Sequence, residues 1–239
     1  MNRENSCRYP LVDLARGVAI LMMIVYHFFY DLSYFSFLVL DFYQGAFWIG
    51  FRYLILGLFI SLVGVSLVLA RENGVSGKQF LIRVGWIVFY AALISLVSWL
   101  LFGSRIIFFG VLHFIALASL LGALFTRLYW INLILGLLLV LIGTGIESTL
   151  FNHSWLQWLG LMTYKPLTED YVPFLPWFGI VLWGMFLARM VLNASILPLR
   201  SPTWPGANIL IFAGRHSLII YMLHQVVLFG VLWCIRALL

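Results

Sequence analysis

Residues 11–32 read LVDLARGVAILMMIVYHFFYDL, and this stretch decides the fold. Between Arg16 and His27 lie ten residues without a charge. The apolar segment around them, about 10–35, is long enough to cross the hydrocarbon core of a bilayer, which takes about 20 apolar residues. Positive charge ahead of it looks like a secretory leader. The apolar stretch is too long for one, however, and no small-residue cleavage site follows. The reading is a retained first transmembrane helix over about 10–35.

The rest of the chain agrees. Of its 239 residues 64% are hydrophobic, 18% aromatic and only 9% charged. A soluble domain carries about 25% charged residues. Too little polar surface remains for a cytosolic enzyme, a secreted module or a disordered chain. Barrel strands alternate apolar and polar residues, whereas the runs here are continuous. Seven segments are long enough to span: about 10–35, 47–70, 79–102, 106–126, 130–147, 174–193 and 209–235. The expected fold is all-α, a polytopic membrane bundle of about seven helices forming a single domain over 1–239. The longest connection, about 148–173, holds Asn152, His153, Lys165, Pro166, Glu169 and Asp170. The next, about 194–208, holds Pro198, Pro202 and Pro205. No internal repeat supports an inverted-repeat transporter.

Lysine and arginine set the orientation. With the N-terminus in the cytosol, ten fall inside: Arg3, Arg8, Arg16, Arg71, Lys78, Arg83, Arg127, Arg189, Arg200 and Arg215. Four fall outside: Arg52, Arg105, Lys165 and Arg236. Glu4, Asp13 and Glu72 lie inside; Asp31, Asp41, Glu147, Glu169 and Asp170 lie outside. The expectation is N-in, C-out. Most of the formal charge of +6 is then topology, and no nucleic-acid partner is needed to explain it. Cys7 and Cys234 suggest neither a disulfide framework nor a zinc site, and no metal is expected.

An ionisable residue inside a span costs about 2.5–3.5 kcal/mol, so each asks for a reason. The first segment holds Asp13, Arg16, His27 and Asp31. From Arg16 to His27 the helix turns by roughly 1100°, which returns to within about 20° of the same direction. Asp13 and Arg16 are an i, i+3 pair; His27 and Asp31 are an i, i+4 pair. All four share one stripe, which must face protein or a water-filled cavity. Arg16 and His27 stand about 16 Å apart along the axis. Asp31 can hold the His27 ring in one tautomer and leave the other nitrogen free as a base. Arg16 can bind an anionic group, pair with Asp13, or act as a snorkelling anchor.

Other spans carry weaker signals. His113 and His224 read singly as helix–helix hydrogen-bonding residues. Arg52 could pair with Asp31 or Asp41. Gly57, Ser61 and Gly64 read as a packing face. Trp155, Trp158, Tyr164, Tyr171 and Trp177 are bilayer anchors or, with Glu169 and Asp170, a platform for an extracytosolic sugar or amine. Arg71, Lys78 and Arg83 set topology or meet a nucleotide's phosphates.

The first stretch resembles the first-helix signature of the heparan-alpha-glucosaminide N-acetyltransferase-like family: D-x-x-R-G, an apolar run with Met, then His and a nearby Asp. FGVLHFIAL (109–117), DYVPFLPWFG (170–179) and AGRHSLIIYMLHQ (213–225) follow in the family's order. The Arg, ten residues, His spacing is also similar to that of acyltransferase type 3 proteins. The resemblance carries over Asp13, Arg16, Gly17, His27 and Asp31, then Gly110 and His113. Asp170, Pro176 and Trp177 follow, and finally Gly214, Ser217, Tyr221 and His224. It implies transfer of an acyl group, typically acetyl, from cytosolic acyl-CoA to a sugar hydroxyl or an amine on the far side. No cofactor would be tightly bound, acetyl-CoA being a co-substrate.

On that resemblance His27, oriented by Asp31, is the expected base or acyl carrier. Arg16, with Lys78 or Arg83, would hold coenzyme A phosphates. Asp13, Arg52, His113, Asp170, Trp177 and His224 would support the site or line the acceptor side. Direct transfer and an acyl-histidine intermediate stay open. So do two other classes: a b-type haem electron-transfer protein using pairs among His27, His113 and His224, and a proton-coupled transporter with His27 and Asp31 as a relay. The expected location is the inner membrane of a bacterium, and an apolar face could meet a second copy of the chain.

Overall fold

The structure, a computed structural model, describes residues 9–168, 170–194, 202 and 204–238. The expectations for Arg3, Glu4, Cys7, Arg8, Glu169, Pro198 and Arg200 concern residues outside that set. Eight α-helices form among the described residues: α1 (Pro10–Tyr34), α2 (Ala46–Glu72), α3 (Gly77–Phe102), α4 (Val111–Phe125), α5 (Trp130–Gly145), α6 (Phe174–Asn193), α7 (Ala207–Arg215) and α8 (Ser217–Leu238). Five candidate spans are long and apolar enough to cross a membrane: α1, α2, Gly77–Arg105 (α3 with the 3-10 turn after it), α6 and α8. The protein is therefore an all-helical, multi-pass integral membrane protein. The fourth and fifth expected spans are the shorter helices α4, of 15 residues, and α5, of 16.

Two expected boundaries are corrected. The segment 106–126 is helical only from Val111. Ser95 and Ser98 of α3 capture the preceding strand-like residues, with Ser95 Oγ donating to the Ile107 carbonyl at 2.6 Å and Ile107 N–H donating to Ser98 Oγ at 2.9 Å. The segment 209–235 is two helices. His216, at φ −106° and ψ 19°, ends α7 with its N–H shared between the Phe212 and Ala213 carbonyls. Hydropathy is blind to this break because both flanks are apolar.

The chain divides into two compact units, 1–59 with 197–239, and 60–196. The first unit holds α1, the start of α2, α7 and α8. Pro10 at the head of α1 and Asp13 in its first turn suit a helix N-terminus. Ile20, Met23, Tyr26, Phe42 and Ile55 form its buried core, edged by Trp48, Phe51 and Tyr221. Phe42 meets Tyr26 edge-on at 5.4 Å between centroids and Trp48 at 4.4 Å. Asp41 Oδ1 accepts the N–H groups of Tyr43 and Gln44 at 3.1 and 2.8 Å and turns the chain into α2.

Glycine brings α7 against α1. A Cβ on Gly17 would overlap the Leu210 carbonyl, and one on Gly214 would overlap the Asp13 carbonyl. The two backbones touch, so neither position has room for a side chain. After the break, α8 runs beside α1 in the same direction: His27 meets His224, Asp31 meets Gln225 and Phe35 meets Phe229.

The second unit holds the end of α2 with α3–α6. Ser76 and Gln79 form a reciprocal capping box at the head of α3, at 3.3 and 3.1 Å. Gly64 abuts the Val181 backbone of α6 and Ser61 abuts Gly184, so both belong to the expected packing face; Gly57 has nothing within 4 Å of its Cβ position. The C-terminal ends of α2, α4 and α6 are tied together. Arg189 donates to the Thr126 carbonyl at 3.0 and 2.7 Å and pairs with Glu72 at 2.7 Å, while Arg71 donates to Thr126 Oγ1 at 3.0 Å. A guanidinium on the last carbonyls of α4 also suits its helix dipole.

Candidate functional site

The polar stripe of α1 forms two stations. At the first, Arg16 Nη1 binds Asp13 Oδ1 at 2.7 Å, the i, i+3 pair read from spacing. Arg215 of α7 adds a contact that spacing did not show, its Nε reaching Asp13 Oδ2 at 3.3 Å. Two guanidiniums share one carboxylate. Arg215 is there because Gly214 lets α7 touch α1. The D-x-x-R-G and G-R pieces, almost 200 residues apart in the chain, are the two halves of one contact.

At the second station, His27 and His224 stand with ring centroids 5.0 Å apart. Asp31 is 1% exposed, and its Oδ1 accepts from Gln225 Nε2 at 2.8 Å. The expected Asp31–His27 hydrogen bond is absent. His27 Nδ1 and Asp31 Oδ2 are both buried without a partner. The i, i+4 spacing puts both side chains on one face, but each turns across to α8. The ring goes to His224 and the carboxyl to Gln225, a better donor than an imidazole lying alongside.

His224 takes over the oriented role. Its Nδ1 lies 2.7 Å from the Tyr221 carbonyl, an acceptor, so Nδ1 carries the proton. In the neutral ring Nε2 is then a bare lone pair, and it too is buried without a partner. Gln225 Oε1 is in the same state. Four such atoms, from His27, Asp31, His224 and Gln225, are gathered on two facing helices. Each unmet buried polar atom costs about 1–3 kcal/mol. A cluster of them suits a polar substrate group better than a packing contact does. The imidazoles touch each other, which leaves no space for a porphyrin between them.

The remaining expected residues lie elsewhere. Arg52 does not pair with Asp31 or Asp41: its guanidinium lies 5.5 Å from the Tyr53 ring centre. Asp41 is occupied by backbone N–H groups. Lys78 and Arg83 belong to the second unit, are exposed, and sit five positions apart on α3. That is about 140° around the helix, so they do not share a face.

His113 has both ring nitrogens engaged. Nδ1 accepts from Gly110 N–H at 3.3 Å, and Nε2 lies 3.0 Å from Ser95 Oγ, whose own hydrogen goes to Ile107. It holds the α3–α4 junction. Asp170 Oδ2 accepts Val111 N–H at 2.9 Å and caps α4. Trp177 is a partly buried residue of α6. Nearby, Tyr171 donates to the Gln157 carbonyl at 2.6 Å, and burial raises its phenol above the usual range. Trp155 is 80% exposed, as an interfacial anchor would be.

Gln225 and Arg215 are the residues that sequence reading passed over. Gln225 carried a signal, since an amide inside an apolar span needs a partner. Arg215 looked like one more inner-side cation.

Fold and site together define a multi-pass membrane protein with a half-buried histidine pair between its first and last long helices. The family model "Heparan-alpha-glucosaminide N-acetyltransferase, catalytic" matches residues 8–226, and the chain belongs to that family. The comparisons with curated proteins and with solved structures each gave no match.

Proposed function

We propose that this protein is a membrane acyltransferase. It moves an acyl group from cytosolic acyl-CoA to a hydroxyl or amine of a glycan or small amine on the other face. The family match supports transferase chemistry. The observation that carries the site is the bare, buried Nε2 of His224 beside His27, Asp31 and Gln225. We read both compact units as one functional domain because the family match runs through both.

The steps follow from those atoms. The acceptor O–H or N–H donates to His224 Nε2 while its heteroatom attacks the thioester carbonyl. The carbonyl π bond opens to an oxyanion. When it re-forms, the C–S bond breaks and the thiolate takes the proton back from the imidazolium. Acylated acceptor and free coenzyme A leave. His27 Nδ1 has no partner in the protein and, when protonated, would be a donor for the oxyanion. Asp31, held by Gln225, balances positive charge on the pair. Arg16 and Arg215 are the cations of the first unit that would meet coenzyme A phosphates. The charge bias puts these cations in the cytosol, giving N-in, C-out, in the inner membrane if the source is bacterial.

Thiol release from acetyl-CoA by purified protein, in the presence of amino-sugar and glycan acceptors, tests this reading. His224→Ala should lower kcat between about a hundredfold and ten-thousandfold, the usual loss for a removed general base. His27→Ala should lower it by at least tenfold. Turnover unchanged in both variants would remove the pair from the chemistry.

A further inference from the structure

Where α2, α4 and α6 end, the second unit holds arginines on a fixed frame. Two guanidiniums meet at Thr126: Arg71 donates to its hydroxyl and Arg189 to its carbonyl. A third, Arg127, is the next residue in the chain. The turn that carries it is pinned at three carbonyls. Asn132, fully buried, donates to those of Phe125 and Leu128 at 3.1 and 2.7 Å, and Arg189 takes that of Thr126. The side chains of Arg71 and Arg127 are nonetheless exposed. Arg127 forms no hydrogen bond or ion pair among the described residues. Glu72 is the one carboxylate bonded to any of the three arginines among those residues, and it pairs with Arg189.

We propose that Arg71 and Arg127 bind the phosphate of an anionic phospholipid in the leaflet at these helix ends. The inference does not depend on the acyltransferase reading. Exposed tryptophan beside the end of a membrane helix marks the headgroup level of a bilayer. Trp130, three residues past Arg127, is 61% exposed. Going back along α4 and α6, into the membrane, Leu124 and Leu187 are exposed apolar side chains against which acyl chains would lie. A guanidinium fork donates to two phosphate oxygens at once, and basic sites between membrane helices hold lipid headgroups in this way. The frame favours binding because Arg127 starts from a turn already ordered. A zwitterionic headgroup fits less well. Its ammonium needs an acceptor, while Glu72 is engaged by Arg189 and the carbonyls of the turn are occupied. An anionic headgroup needs only donors, which the remaining N–H groups of Arg71 and Arg127 supply. By the charge bias, this is the cytosolic leaflet.

Lipid titration of the full chain in detergent, read by native mass spectrometry at the first bound lipid, tests this. Phosphatidylglycerol and phosphatidylcholine with identical acyl chains are the probes. One arginine near a charged headgroup favours binding about fivefold, so phosphatidylglycerol should bind tighter by about fivefold or more. Arg127→Gln removes no bond within the protein, so the fold is kept. It should cut the preference by about threefold or more. Arg71→Gln combined with Arg127→Gln should abolish the preference. Arg236→Gln, near the C-terminus of α8, removes the same charge elsewhere and should leave the preference unchanged. Equal binding of the two lipids overturns the proposal. So does a preference undiminished in Arg127→Gln and in the double variant. An equal drop in Arg236→Gln would reduce the effect to overall charge and also overturn it. Displacement of phosphatidylglycerol by excess coenzyme A would assign these arginines to a nucleotide, and the lipid site falls.

Discussion

His224 shows how one hydrogen bond sets a chemical role. Its Nδ1 is held by a carbonyl of its own helix, one turn back, at 2.7 Å. Nothing on another helix needs to move for the tautomer to persist, and Nε2 stays a lone pair. Asp31 depends instead on Gln225, at 2.8 Å. Gln225→Ala would leave that carboxylate without its donor. We expect kcat to fall at least fivefold and KM for acyl-CoA to change less than twofold, since Gln225 is far from the cationic end. Steady-state kinetics at several acyl-CoA concentrations separate the two. A rise in KM alone would place Gln225 in donor binding. Asp31 and His27 share the stripe expected of them, yet the bond between them did not form. Spacing on one helix gives direction only; a facing helix supplied better partners.

At the scale of elements, contact between α1 and α7 depends on two glycines. Gly214→Leu would push the Leu side chain into the Asp13 carbonyl region and part the helices. Overpacking of this sort costs about 1–3 kcal/mol. We expect a lower thermal midpoint in detergent, and weaker coenzyme A binding because Arg215 withdraws from Asp13. A midpoint equal to that of the parent would show that the helices accommodate the side chain. The second unit is held differently. Arg189 clamps Thr126 and Glu72 at the ends of three helices, where partly exposed charges meet carbonyls that lack helical partners. Sequence placed Arg71 and Arg189 on one side by charge bias, and the hydrogen bonds bring their helix ends together.

For the whole molecule, the charge bias predicts sidedness that labelling can read. In a background with Cys7 and Cys234 changed to Ser, Lys78→Cys should react with a membrane-impermeant maleimide only from the cytosolic face. Trp155→Cys should react from the opposite face. Both positions are exposed, so access should follow topology. Reaction of both from the same side would overturn the seven-crossing, N-in arrangement. Helices α3 and α8 bury little of their surface, 17% and 6% of their apolar windows. Their outward Trp, Phe and Leu side chains suit contact with lipid.

Length and apolarity are properties of a segment by itself. They determined the membrane, the helical class, a helix in each expected segment, five of the helices being long and apolar enough to cross a membrane, and the single stripe that carries the polar residues of α1. Family membership was legible for the same reason, since its motifs are local strings. The rest depended on which helix faces which. Hydropathy ran across the break at His216 because a turn between two apolar stretches leaves the average unchanged. Asp31's partner lies 194 residues away and Arg215's 202, and no periodicity connects them. Only the packed α1, α7 and α8 decided that His224 presents the bare nitrogen and that Asp31 answers to Gln225. A hydrogen bond goes to the nearest well-oriented partner, and proximity between distant segments is set by the tertiary structure.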